Sequence, residues 1–229
     1  MLIKCTRVRR FVPLITILAI AISLPVVTEP TRSQVRGVGV KTSMMPAGAQ
    51  IRRIALVIGN SKYTDKLLAN AENDAIDMAA ILVRLGFEVT QKTNQGEKEM
   101  KLAIREFGEK LATGEGNVGL FYFAGHGIQV KGQNFMIPID AAVTDEVEAE
   151  DACVNLELVL GKMEKSRKGL NIVILDACRD NPFRGWRSTV SNGLAYVNAP
   201  RGTLIAYATA PGRTASDWIS IVSDPYSRS

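Results

Sequence analysis

Short apolar runs alternate along this chain with longer stretches of helical period, and that alternation admits few folds. Residues 54–58, 87–90, 119–124, 171–179 and 203–208 read as strands bounded by glycine or polar residues. After the first run, residues 73–85 place Ala75, Met78, Ala79 and Leu82 at helical spacing. Gly86 follows, where a helix commonly ends in a left-handed residue. Residues 97–111 line Met100, Ala103, Ile104, Phe107 and Leu111 along one face of a second helix, and Leu156, Val159, Leu160 and Met163 mark a third that stops near Lys168 and Gly169. A hairpin is expected between 128–130 and 135–137, turning at Lys131 and Gly132, and the acidic stretch 145–151 reads as a solvated loop. Strands separated by helices of about a dozen residues predict βαβ units. The expected fold is therefore α/β, a mostly parallel central sheet with helices on both faces.

The first part of the chain has a different character. Residues 1–10 hold Lys4, Arg7, Arg9 and Arg10 with no acid, and residues 11–27 carry no charge at all. That pattern predicts a secretory signal or an uncleaved membrane anchor over residues 1–27, hence an exported protein that is periplasmic or attached to the inner membrane. No small-x-small cleavage site follows, so both outcomes stay open. Residues 28–51 read as a linker and 213–229 as an irregular tail, leaving a globular domain over 52–212. The formal net charge is +5, but the basic first ten residues account for most of it. The body is nearly neutral and offers no basic face for nucleic acid. Cys5, Cys153 and Cys178 are too few and too scattered for a disulfide framework or a zinc site.

Chemistry concentrates at the ends of two strands. His126 is the only histidine in 229 residues, and it stands between Gly125 and Gly127 just past an apolar run. Alone, it could as well be a turn histidine bonded to a backbone carbonyl as an acid–base group. The stretch NIVILDACR at 171–179 changes the balance, because it is a second apolar strand that ends in Cys178. Parallel strands joined by a crossover bring their carboxyl ends to one edge of a sheet. If these two strands are neighbours, His126 and Cys178 share a crevice. A thiolate can then attack a carbonyl carbon while the imidazole takes the thiol proton and returns it to the leaving amine. The backbone N–H groups of Cys178 and Gly127 are candidate oxyanion donors. Against this stands a buried structural thiol at 178; Cys153 is the better candidate for that role, packing at the start of the third helix.

The quoted motifs carry a resemblance. AGHG at 124–127, LDACRDNPF at 175–183, RIALVIGNSKY at 53–63 and LLANAENDA at 67–75 together resemble the caspase-like peptidase C14 superfamily, and its bacterial orthocaspase and metacaspase-like branch more than animal caspases. The resemblance implies a three-layer caspase-like fold, His126 as general base and Cys178 as nucleophile of a cysteine endopeptidase. Asp74 and Asp176 match two acidic S1 positions of that branch, so the implied substrates are proteins or peptides with Arg or Lys at P1. No resident cofactor is implied. Asp140 suits one calcium ligand, but the acid-rich insertion is absent and Gly185 stands where a later ligand is expected. The family domain continues past 203–212 with another strand and helices that residues 217–229 do not resemble. The expectation is therefore a domain lacking its last strand and helices, with an exposed sheet edge.

Two other functions compete with the peptidase. A caspase-like interaction or scaffold module, inactive for want of those last elements, fits the unusual end. A nucleotide-binding α/β protein fits poorly, since no GxGxxG or Walker A loop follows the first strand. Lys165, Arg167, Lys168, Arg184, Arg187 and Arg201 are the sites where a basic-specific protease could cut itself.

Overall fold

Three apolar segments, residues 54–58, 119–124 and 172–175, are buried on both faces, as a helix-covered parallel strand requires, and form the middle of one parallel sheet with less buried strands on either side. The computed structural model describes residues 51–64, 67–143, 145–165, 169–178 and 194–208. In chain order the elements are β1 (Arg53–Gly59), α1 (Ala71–Arg84), β2 (Glu88–Thr93), α2 (Glu97–Leu111), β3 (Val118–Val130), β4 (Gln133–Met136), α3 (Glu146–Ala152), β5 (Val154–Asn155), α4 (Leu156–Glu164), β6 (Asn171–Cys178) and β7 (Thr203–Tyr207). The parallel strands lie in the order β2-β1-β3-β6-β7. Among the described residues this is an α/β fold with a mostly parallel sheet, as the alternation of runs predicts.

Alternation along the strands sorts the two faces. Ile54, Leu56 and Ile58 of β1, Phe121 and Phe123 of β3, Val173 and Leu175 of β6 and Ile205 and Tyr207 of β7 pack with Met100, Ile104 and Phe107 of α2 and Val159, Leu160 and Met163 of α4. Burying one such aromatic or aliphatic side chain stabilises the fold by about 1.5–3 kcal/mol. The opposite face lies under α1. There Gly59 meets the helix so closely that an added Cβ would fall 2.5 Å from the Ala71 carbonyl oxygen and 2.5 Å from Ala75 Cβ. Gly86 ends α1 with φ of +79°, the left-handed geometry expected after a helix.

β3 runs on past its parallel neighbours. Its distal part pairs antiparallel with β4, Gly127 opposite Met136 and Val130 opposite Gln133, and β4 pairs with β5. The turn between β3 and β4 has Lys131 at φ 48° and Gly132 at φ 80°, the left-handed pair of a type I′ hairpin. The segment 145–151 is not a loop. Asp145 accepts hydrogen bonds from the N–H groups of Val147 and Glu148, both 2.9 Å, and starts the short helix α3. An aspartate cap with acids in the first turn favours the positive helix end, a signal stronger than bulk acidity. Ala149 of that helix is buried with Tyr63, Ile128, Val130, Phe135 and Cys153 in a second, smaller core.

A polar clamp fixes the segment that leads into β7. Asn134 Nδ2 donates to the Ala195 carbonyl at 2.9 Å, its Oδ1 accepts from the Ala195 N–H at 2.6 Å, and the Tyr207 hydroxyl donates to the same carbonyl at 3.3 Å. Asn134 is buried, so truncation strands the Ala195 N–H away from water. Asn134→Ala is expected to lower stability by about 1–3 kcal/mol, the cost of a buried unsatisfied donor. Urea unfolding that leaves the midpoint unchanged would contradict this clamp. Residues 1–50 lie outside the described residues, including the apolar stretch 11–27. Among the described residues no helix is long and apolar enough to cross a membrane.

Candidate active site

The backbone register brings the two chemical residues to one rung. β3 and β6 pair in parallel from Gly119 opposite Asn171 to His126 opposite Cys178. Adjacent strands lie about 4.8 Å apart, so the two Cα positions are immediate neighbours. The sequence reading places His126 just past its strand and Cys178 at the end of its own. Both lie within strands, because β3 continues into its hairpin and the register holds as far as Cys178.

His126 is fully buried, and the loop after β1 holds it. The His126 N–H donates to the Tyr63 hydroxyl at 2.9 Å, and the two rings lie 4.5 Å apart at an interplanar angle of 53°. The His126 carbonyl accepts from the Ile137 N–H at 3.0 Å. Gly125 has no room for a side chain, since a Cβ there would lie 2.6 Å from the Tyr63 hydroxyl oxygen and 2.6 Å from Phe123 Cζ. The glycine before the histidine is thus a packing requirement, whereas φ at that position is not in the left-handed region. Gly127 is similarly confined, with a Cβ reaching 3.0 Å from Ala177 Cβ and 3.2 Å from Leu194 Cδ2.

Asn60, wholly buried, ties three segments around the same point. Its N–H donates to the Ala124 carbonyl at 2.9 Å, and its Nδ2 donates to the carbonyls of Gln95 at 3.1 Å and Ile137 at 3.3 Å. Its Oδ1 accepts from the Gln95 N–H at 2.9 Å. Sequence reading takes Asn60 only as the residue that closes the first strand and gives Tyr63 no role. An asparagine directly after an apolar run and an aromatic in a polar loop were the available signals.

The two candidate specificity carboxylates share one sheet edge. Asp176 is half-buried on the rung that joins Gly59, Ala124 and Asp176, and the Tyr122 hydroxyl lies 3.4 Å from its Oδ2. Asp74 sits in the first turn of α1, between the Ala71 and Ala75 that touch Gly59. Val57 is the register partner of Tyr122, so Asp176 and α1 belong to the same face. The structure brings Asp74 and Asp176 to one edge and one face of the sheet.

Other candidates separate. Asp140 accepts the Glu97 N–H at 3.0 Å and caps α2, while its other carboxylate oxygen abuts Gly96. Among the described residues no group of three or more histidine, cysteine or acidic side chains could hold a cation. Gly185 lies outside the described residues, as do Arg167, Lys168, Arg184 and Arg187. Cys153 is buried, and burial pushes its thiol up to about 12; Glu97 adds in the same direction and Lys101 opposes. A thiol held protonated in this way is unreactive near neutral pH, as a structural cysteine should be. Arg52 pairs with Glu88 beside Lys110, and the Arg52 hydrogen bond holds the Glu88 carboxyl below its ordinary range.

Comparison with known proteins gives the family. Residues 52–228 match the family model for the peptidase C14 caspase domain. Over 168 residues the chain is 32% identical to human mucosa-associated lymphoid tissue lymphoma translocation protein 1, and equally to its mouse homolog. Those alignments take in 71% of this chain but 19% of each relative, so the chain spans about a fifth of their length. A crystal structure of protein GSU0716 from Geobacter sulfurreducens aligns with TM-score 0.45 and 22% identity, over 56% of this chain and 50% of that one. With most of its length matched by the family model, the chain belongs to the caspase-domain family of cysteine-type peptidases.

Proposed function

We propose that this protein is an endopeptidase that cleaves after Arg or Lys through His126 and Cys178. The single observation that supports this most is the rung on which those two residues are direct register partners. In the proposed reaction His126 takes the Cys178 thiol proton and the thiolate attacks the scissile carbonyl carbon. The tetrahedral intermediate collapses as the imidazolium protonates the departing amine. A water molecule deprotonated by His126 then attacks the acyl-thioester, and Cys178 leaves and is reprotonated. The N–H groups of Gly127 and Cys178 would hold the oxyanion. The alternation that begins with the Gly119 N–H on the Leu170 carbonyl aims the Gly127 N–H at β6, so the last rung must yield to the substrate.

Asp74 and Asp176, at one edge and on one face, support a pocket for a cationic side chain. Asp176→Asn keeps the shape and the tyrosine contact but removes a charge. It is expected to cut kcat/KM for Arg- and Lys-ended peptide amides by about 10- to 100-fold, the worth of a charge-assisted hydrogen bond. Cleavage after Asp but not after Arg or Lys would overturn the basic-P1 reading. Self-cutting at the basic sites should appear as bands that accumulate in the wild-type protein and not in Cys178→Ala.

A second reading has one observation in its favour. His126 is wholly buried, so without a step that uncovers it the domain would act only as a caspase-like interaction module. Wild-type protein that never turns over any basic peptide amide, with or without calcium, would decide for the module. We place the protein in the periplasm or at the inner membrane of a bacterial cell, on the strength of residues 1–27. Recovery of the full chain in the soluble cytosolic fraction would contradict that placement.

A further inference from the structure

Continuing the β3–β4 register by one step beyond Gly127 opposite Met136 sets His126 opposite Ile137. In an antiparallel ladder such a pair exchanges two backbone hydrogen bonds. Only one of the two is direct here: the Ile137 N–H donates to the His126 carbonyl at 3.0 Å. The other is relayed. The His126 N–H donates to the Tyr63 hydroxyl at 2.9 Å, and that hydroxyl donates to the Ile137 carbonyl at 3.1 Å. One phenolic oxygen therefore stands where a strand-to-strand bond would be, on the residue at which β3 changes from parallel to antiparallel neighbours.

We infer that Tyr63 is a wedge that positions His126 for catalysis, an inference that rests on the general-base reading of that histidine. A direct bond would draw the His126 backbone against β4. The interposed oxygen holds it off by the width of one atom, and the ring lies tilted on the imidazole at 4.5 Å. The surroundings keep the wedge in place. Asn60 Nδ2 donates to the same Ile137 carbonyl at 3.3 Å, and Gly125 leaves the hydroxyl its space. Tyr63 is buried within the second core, so its ring cannot swing into solvent without opening that cluster. Because effective catalysis depends on near-attack geometry, a displacement of about 1 Å at the base can cost on the order of 10²-fold in rate.

The test uses the full chain with Tyr63→Phe, which keeps the ring and deletes the oxygen, beside Tyr207→Phe, which deletes a buried hydroxyl elsewhere. Tyr63→Phe should lower kcat by about tenfold or more with KM held within about twofold, the pattern of a lost transition-state interaction. Tyr207→Phe should leave kcat near wild type. His126 is the only histidine, so its imidazole resonances are unambiguous and report position without any need for turnover. In a Cys178→Ala background they should move in Tyr63→Phe and stay in Tyr207→Phe. Unmoved resonances in Tyr63→Phe, or equal movement in both variants, would overturn the wedge. So would an unchanged kcat in an enzyme that His126→Ala inactivates. If His126→Ala leaves hydrolysis intact, the general-base reading fails, while the resonances still judge the geometry. Should Tyr63→Phe not fold, a nuclear Overhauser contact between the two rings in the unsubstituted chain decides the packing, and its absence overturns the proposal.

Discussion

Replacing Cys178 by alanine is expected to abolish hydrolysis of Arg- and Lys-ended peptide amides by the full chain, a loss of about 10³-fold or more for a covalent nucleophile. β6 is buried from Asn171 to Leu175 and its last residue is Cys178, opposite His126 in register. The remaining described cysteine, Cys153, is buried with its thiol pushed up to about 12, so it cannot substitute near neutral pH. Alanine at 178 keeps β-strand pairing and removes only sulfur, so the variant should fold like the parent. Fluorogenic peptide assays read the outcome directly. Residual activity equal to wild type would show that any observed hydrolysis comes from another group or a contaminant.

His126→Ala should lower kcat by about 10²- to 10⁴-fold, the range for loss of a positioned general base. Its residual rate should carry a signature that the cysteine variant lacks. Without an imidazole to take the proton, attack depends on thiolate formed by ordinary ionisation, whose reference pKa is about 8.5. Residual hydrolysis should therefore climb as pH rises through that region, whereas the wild type should already be near its plateau at neutral pH. Truncating a wholly buried ring also removes its contact with Tyr63, so a fall in melting temperature should accompany the kinetic loss. A variant that hydrolyses like wild type at neutral pH would remove His126 from the mechanism.

Much of this fold is legible in the residues because local pattern and tertiary environment agree. Residues 97–111 carry a continuous apolar stripe and form a helix with those bounds, Glu97–Leu111. Lys131 and Gly132 sit in the left-handed turn that joins β3 to β4, and Gly86 ends α1 as a left-handed residue. What escapes sequence reading depends on distant partners. Glycines on both sides of His126 read as a strand end, yet β3 continues through them, because each glycine answers a crowded neighbour: Tyr63 and Phe123 at Gly125, Ala177 and Leu194 at Gly127. Asp140 looks like a ligand and is a helix cap, since its partner is the backbone of Glu97, 43 residues earlier. The acidic stretch after it becomes α3 through the side chain of Asp145.

The candidate site divides in the same way. The register of His126 with Cys178 follows from two strand motifs and one crossover, all local in origin. Asp74 and Asp176 reach the same edge for the same reason, one in the first turn after β1 and one near the end of β6. The hold on His126 does not follow from any local pattern. Tyr63 and Asn60 act through bonds to residues 63 to 77 positions away, and only the folded sheet brings those partners together.

The most direct test of the paired site is the rate of alkylation of Cys178 by iodoacetamide across pH 5–9, in wild type and in His126→Ala, with the labelled residue identified by peptide mapping. An imidazole that takes the thiol proton should make Cys178 react rapidly already at pH 6–7, well below the ordinary thiol range, and its removal should slow that reaction and move it to higher pH. Equal and slow labelling of both proteins, rising only above about pH 8, would contradict the account. His126 and Cys178 would then be neighbours in the sheet that share no proton.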